Sequence, residues 1–206
     1  MSEGSGEPVV PVSKVQLLLF PGAGSSSEHS SLIAIERAVA PVACRRADFA
    51  YRLAGRRAPD RAPALLETVA TAAAALIAPA EAQPDGPAAL VLGGRSMGGR
   101  MCSMAIADGL VVAAGLILIS YPLHPPCKPD KLRVEHLPRL QVPCLFIHGT
   151  NDPFGTPAEL TSFTATIPGR VSHVWIERGR HDLKGADDLI AAAVVAWLDT
   201  LTRPRD

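Results

Sequence analysis

A serine held among small residues, between an apolar run and a helix-like stretch, narrows the possible folds of this chain more than any other feature. The segment is Gly94-Arg95-Ser96-Met97-Gly98, with Gly93 and Gly99 beside it. Ala88 to Leu92 is a continuous apolar run that predicts a buried strand, and Met97 to Ala107 predicts a helix. A sharp strand-to-helix turn of this kind lifts a serine hydroxyl out of the backbone as a nucleophile. The turn is tight enough that the residues two before and two after the serine must be small. The competing reading is structural, since serine is also a favoured helix N-cap.

The rest of the chain repeats the alternation of strand and helix. Val15 to Phe20 is a continuous apolar run suited to a strand covered on both faces, and Pro21 to Ser27 follows as a loop. Glu28 to Ala40 carries apolar residues on one broad face and predicts a helix. Val42 to Phe49 predicts a strand, Ala50 to Arg61 an arginine-rich connection, and Ala62 to Ala78 a helix with Pro63 in its first turn. Ala80 to Pro87 is a Pro- and Gly-rich loop. Beyond the serine, Gly115 to Ser120, Cys144 to His148 and Val171 to Glu177 predict strands. Ala158 to Thr166 and Ala186 to Leu201 predict helices, and Tyr121 to Pro138 holds too much proline to be regular. Apolar strands alternating with helices imply an α/β fold, a parallel sheet with helices on both faces and right-handed crossovers. Ligands in such sheets bind beyond the carboxyl ends of the strands.

Composition restricts the function. With 206 residues, 48% of them hydrophobic, the chain can build one domain with a substantial core. Twenty basic and twenty acidic side chains cancel, which argues against nucleic acid as the main partner. No apolar run reaches membrane-spanning length. Met1 to Pro11 is polar, without a cationic start or an apolar signal core. The expectation is a cytoplasmic protein with no membrane partner. The four cysteines, Cys44, Cys102, Cys127 and Cys144, are scattered without a C-x-x-C pair, so no metal or other cofactor is expected and the thiols are read as reduced.

Ser96 needs a base to take its proton, and the base needs an orienting acid. His181, in Gly179-Arg180-His181-Asp182, follows the last predicted strand and is the candidate base. Asp152, in His148-Gly149-Thr150-Asn151-Asp152-Pro153, follows the preceding strand and is the candidate acid. Asp182 competes for that role, and Asp152 has an alternative as a turn former before Pro153. The oxyanion needs preorganised backbone N–H groups, for which Met97 and Ala23 are the candidates, with Gly24 as Ala23's neighbour. His148 reads as a wall or packing residue, His173 as structural, and His29, His124 and His136 carry no motif, although His124 stands in a segment that could line the site. The cluster Arg56 to Arg61 suits a substrate carboxylate or phosphate, with a surface ion pair to Asp60 as the alternative. Gly24, Tyr121 and Arg56 are the candidate substrate-binding residues. A third use of the first loop is dinucleotide binding, because Gly22-x-Gly24-x-x-Ser27 with Asp48 imitates that fingerprint.

On these residues the chain resembles the α/β-hydrolase superfamily, within it the small dienelactone-hydrolase-like group. It is further similar to a family of short hydrolase-like proteins that includes a testis-expressed protein and a subunit of the non-specific-lethal chromatin complex. The segments that carry the resemblance are Phe20 to Gly24, Ala54 to Arg61, Gly93 to Arg100, Ser120 to Pro125 and His148 to Asp152. The resemblance implies Ser96 as nucleophile, Asp152 as acid and His181 as base, in the chain order such hydrolases use, with oxyanion donors at Met97 and Ala23. Many members have His-Gly where this chain has Pro21-Gly22, so a hydrogen bond made by that histidine is absent. The implied organisation is a flexible segment over residues 1–13 and a minimal hydrolase domain over residues 14–206. It would have about six mostly parallel strands, no large lid and an open, shallow site. The implied activity is cleavage of a small-molecule acyl ester or thioester. A non-catalytic interaction or scaffold protein on the same fold is the alternative.

Overall fold

A computed structural model describes residues 15–77 and 88–202. The expected flexible segment over residues 1–13 and the expected loop over residues 80–87 lie outside the described residues. Six strands form one sheet: β1 Val15–Phe20, β2 Ala43–Arg46, β3 Ala89–Arg95, β4 Gly115–Ile119, β5 Cys144–Gly149 and β6 Val171–Ile176. Their order across the sheet is β2-β1-β3-β4-β5-β6, and every pair is parallel. The expectation of a mostly parallel sheet is therefore sharpened to a wholly parallel one.

The helices are α1 Ser30–Ala38, α2 Ala50–Leu53, α3 Ala62–Ile77, α4 Met97–Ala107, α5 Pro157–Thr164 and α6 Asp187–Thr202. Alternate residues of each central strand feed opposite layers of core, as a pleated strand requires. Leu18, Phe20, Leu92 and Leu118 pack with Leu65 and Val69 of α3 and Met101 of α4. Leu17, Leu19, Val91 and Ile117 pack on the other face with Leu32 and Ile35 of α1 and Ile190 and Val194 of α6. Burying each such side chain contributes roughly 1.5–3 kcal/mol, which is why β1, β3, β4 and β5 are mostly apolar on both faces, with Gln16, Arg95 and His148 as buried polar exceptions.

Two departures from the sequence reading follow from packing. Strand β2 stops at Arg46 rather than Phe49, because Phe49 turns into the core and stacks against Tyr51 and Phe20. Helix α2 is a single turn inside the connection expected to be irregular, and it buries Tyr51. The chain crosses from one side of β1 to the other between β2 and β3. The carboxyl ends of β1 and β3 thus flank the point where the strand order reverses, where an open α/β sheet leaves a crevice.

Candidate active site

Strand β3 leads directly into α4 through Ser96, whose backbone is held at φ 45° and ψ −114°. A non-glycine residue rarely adopts that conformation and holds it only where the surroundings enforce it. The enforcement is backbone against backbone. A Cβ on Gly98 would lie 2.5 Å from the Pro21 carbonyl oxygen and 2.6 Å from that of Phe20, and one on Gly94 would strike the Phe20 carbonyl. These contacts account for the small residues two before and two after the serine. Ser96 makes no side-chain capping hydrogen bond, so the N-cap reading is replaced by one in which the hydroxyl faces outward.

That hydroxyl meets His181. Ser96 Oγ lies 2.9 Å from His181 Nε2, and His181 Nδ1 lies 2.8 Å and 3.0 Å from the two carboxylate oxygens of Asp152. With Nδ1 facing a carboxylate, the hydrogen bonding assigns the proton to Nδ1 and leaves Nε2 as the acceptor of the serine proton. The loops bearing Asp152 and His181 are tied together by Asn151 N–H to Gly179 O (2.9 Å), Thr150 N–H to Ile176 O (3.0 Å) and Arg178 N–H to Thr150 Oγ1 (2.7 Å).

Asp152 is buried, and its charge is met on several sides. Oδ1 also accepts the Phe154 N–H at 2.8 Å, an Asx turn that accommodates the intervening Pro153. His148, fully buried beneath it, has Nε2 2.9 Å from Gly155 O and 3.5 Å from Asp152 Oδ2. Burial lowers the His148 pKa, partly opposed by Asp152, so the ring is neutral, with its proton on Nε2 facing that carbonyl. Phe154 stacks on the His181 imidazole with ring centroids 4.0 Å apart. Asp182, the competing acid, is exposed, and its carboxylate makes only a long contact of 3.4 Å with the Lys184 N–H.

Met97 N–H opens α4 and is among the donors that a helix cannot satisfy internally. Across from it, the Ala23 carbonyl accepts the Tyr51 hydroxyl at 2.7 Å, and Ser27 donates its N–H (2.8 Å) and hydroxyl (2.7 Å) to Asp48. These bonds fix the first loop beside the nucleophile; a Cβ on Gly22 would lie 3.6 Å from the Ser96 Cβ. They also commit the Asp48 carboxylate, which the dinucleotide reading needs for a ribose.

A cavity of about 830 Å³ opens over Ser96, lined among others by Ala23, Gly24, Met97, Phe154 and His181. It is roomier than the shallow depression expected, and suits a small-molecule ligand. Two expected substrate-binding residues are not on its surface. Tyr121 is 1% exposed and donates its hydroxyl to Arg133 O at 2.6 Å; Ser120, at φ 50°, turns the chain so that the ring enters the core. Arg56 is exposed and clasps Asp60 at 2.5 Å and 2.9 Å, the ion-pair alternative. Asp60, not Arg56, lines the cavity. His124 is nearly buried and is not among the lining residues.

The cavity also shows residues to which the sequence reading gave no role. His29 caps α1 and lines the cavity. Arg95, 5% exposed, donates to Asp182 O (2.8 Å), His181 O (3.3 Å) and Ser31 Oγ (3.2 Å), tying the histidine loop to the end of β3. Arg100, one turn into α4, and Arg133, in the proline-rich segment after β4, also face the cavity. The i, i+4 relation of Ser96 and Arg100 was a signal for the last of these contacts on α4. No group of three or more His, Cys, Asp or Glu side chains suited to a metal occurs among the described residues, and no helix among them is long and apolar enough to cross a membrane. All four cysteines are free.

Known structures share this fold. Dienelactone hydrolase from Anabaena variabilis superimposes with a TM-score of 0.72 at 22% identity, over 94% of this chain and 90% of that one. Est1E from Butyrivibrio proteoclasticus gives 0.70 at 16% identity, over 96% and 90%. An α/β serine hydrolase without a lid from Xanthomonas campestris gives 0.62 at 19% identity, over 93% and 85%. At these identities the likeness is one of fold. The family model for the alpha/beta hydrolase domain matches residues 13–189, and on that match the chain belongs to the alpha/beta hydrolase family.

Proposed function

We propose that this protein is a serine hydrolase of carboxylic esters or thioesters, with Ser96, His181 and Asp152 as its triad. The observation that carries the reading is the unbroken line of hydrogen bonds from Ser96 Oγ through His181 to Asp152, at 2.9 Å and 2.8 Å, on a serine held at positive φ.

Ser96 Oγ attacks the acyl carbon as His181 Nε2 takes the hydroxyl proton. Asp152 stabilises the imidazolium and holds its tautomer. The N–H groups of Met97 and Ala23 receive the oxyanion. As the tetrahedral intermediate collapses, the bond to the alcohol or thiol breaks, and His181 returns the proton to that leaving group. An acyl-Ser96 ester remains. Water then loses a proton to His181 and attacks the acyl carbon; the acid departs and Ser96 recovers its proton. No cofactor is needed. The substrate is a small acyl compound that fits the cavity, and the protein acts in the cytoplasm.

The test is hydrolysis of 4-nitrophenyl acetate. Native protein is expected to release 4-nitrophenolate well above the buffer rate, and Ser96→Ala to lose at least about 10⁴-fold in kcat. Equal rates from the native and Ser96→Ala proteins would sink the reading.

A further inference from the structure

The charged side chains lining the cavity are unequally provided for. Asp60 is held by Arg56, Arg95 is committed to backbone carbonyls and Ser31, and Arg180 and Asp182, which also line the cavity, are exposed to solvent. Arg100 and Arg133 have no carboxylate partner among the described residues. Arg133 makes one long side-chain bond, Nη1 to Pro122 O at 3.4 Å. Arg100 Nε is shielded from solvent and has no hydrogen-bond partner. Both side chains line the same cavity; burial lowers the Arg133 pKa, and the positive charge of Arg100 lowers it further.

Both are mounted on fixed backbone. The Arg100 N–H bonds Ser96 O at 3.0 Å, placing its side chain one turn along α4 from the nucleophile. The Arg133 N–H bonds Leu123 O at 2.9 Å, and its carbonyl accepts the Tyr121 hydroxyl. Tyr121 and His136, the buried polar groups beside them, bring no negative charge, and the exposed Glu135, which acts on both of those groups, forms no ion pair with either arginine. Burial keeps the Tyr121 phenol protonated by raising its pKa, and His136 is held neutral with a pKa of about 4 by burial and by Arg100. A pair of guanidinium groups without a counter-ion, beside a nucleophile, has the geometry and unspent donors to grip an oxyanion.

We propose that Arg100 and Arg133 form an anion subsite, and that the substrate is an acyl ester or thioester carrying a second, anionic group, a carboxylate or a phosphate. The cleavage half of this statement rests on the hydrolase reading; the binding half does not. The anion neutralises the pair and takes up donors that the protein leaves unmade, while the scissile carbonyl lies over Ser96.

The experiment compares 4-nitrophenyl hydrogen succinate with its neutral methyl ester. The native protein is expected to favour the anionic ester in kcat/KM by at least about tenfold at low ionic strength, and by less in 1 M salt. In Arg100→Gln and, independently, in Arg133→Gln, the ratio of the two esters falls toward one, and Arg100→Lys restores part of it. A native ratio at or below one, or a ratio that neither glutamine variant changes, overturns the proposal.

If no ester is cleaved, calorimetry on folded Ser96→Ala protein decides instead, with succinate and inorganic phosphate titrated separately. Binding of either ion that is lost on adding Arg100→Gln or Arg133→Gln upholds the subsite while the hydrolase reading falls, and the tighter ion identifies the anionic group. Binding of neither ion, or binding that both substitutions leave intact, overturns the subsite as well.

Discussion

The cavity has two kinds of lining. Around Ser96, His181 and Asp152 the polar groups close on one another: serine on histidine, histidine on carboxylate, carboxylate on the Phe154 N–H, with Arg95 holding the histidine loop by its carbonyls. Around Arg100 and Arg133 they do not close, and a shielded Nε has no partner. Folding alone selects for satisfied buried polar groups, because an unmade bond costs about 1–3 kcal/mol. The first lining is hydrogen-bonded from serine to carboxylate within itself, with only the buried His148 Nδ1 behind Asp152 left without a partner. On the proposal made here, the second is completed by a ligand, and substrate preference resides there. On that reading, one cavity separates how a bond is cut from which molecule is admitted.

Three substitutions test that separation, the largest effect first. Asp152→Asn breaks the closed lining at its centre, removing the negative charge that fixes the His181 tautomer. A loss in kcat on the order of 10³–10⁴-fold is expected with little change in KM, measured on a neutral ester. A shift confined to KM would mean that Asp152 shapes binding instead.

Arg95→Met reaches the same lining from outside. It removes the donors to His181 O and Asp182 O, and a displacement of the ring by about 1 Å can cost up to about 100-fold. The expected result is a fall in kcat of on the order of 10- to 100-fold, with partial rescue by Arg95→Lys, which still donates to a carbonyl. An unchanged kcat in folded Arg95→Met would show that the loop holds itself.

The smallest effect concerns His136, behind the second lining. Its Nε2 lies 2.7 Å from Ser103 Oγ, whose own proton goes to Arg100 O. Nε2 is therefore the donor, and burial with Arg100 and Arg139 depresses the pKa to about 4, so the ring is neutral near pH 7. The unfolded chain takes up this proton near pH 6.5 and the folded chain does not. The contribution to stability is thus complete above pH 6.5 and shrinks as the pH falls toward 4, by about 1.4 kcal/mol per unit. Between pH 6.5 and 5 the native protein should lose about 2 kcal/mol more than His136→Gln, read from urea unfolding at each pH. Parallel losses would place a proton on His136 in the folded state.

The sequence disclosed the two linings unequally. Ser96, Asp152 and His181 were legible because each follows a strand, and parallel strands deliver their carboxyl ends to one side of the sheet. The central strands were legible because burial on both faces leaves apolar runs. Strand β2 was overextended because Phe49 is as apolar as a strand residue, yet its ring belongs to the core beside Tyr51. Tyr121 was misplaced because its position after β4 gave the right end of the sheet, while the left-handed turn at Ser120 sent the ring inward. Of the two readings of the Arg56 cluster, the structure shows the ion pair, because the i, i+4 spacing sets Arg56 against Asp60. Arg95, Arg100 and Arg133 were invisible as a group: one lies on β3, one on α4 and one in a proline-rich segment, and only the fold shows that the first is committed and the other two are free of counter-ions.

The most direct test of the central claim is intact-protein mass measurement after incubation with a fluorophosphonate, which reacts with an activated serine hydroxyl and needs no knowledge of the substrate. A single adduct on the native protein, located on Ser96, lost in Ser96→Ala and strongly slowed in His181→Ala, is the predicted result. Native protein that stays folded and unmodified, or that is modified equally in the Ser96→Ala variant, would contradict the account.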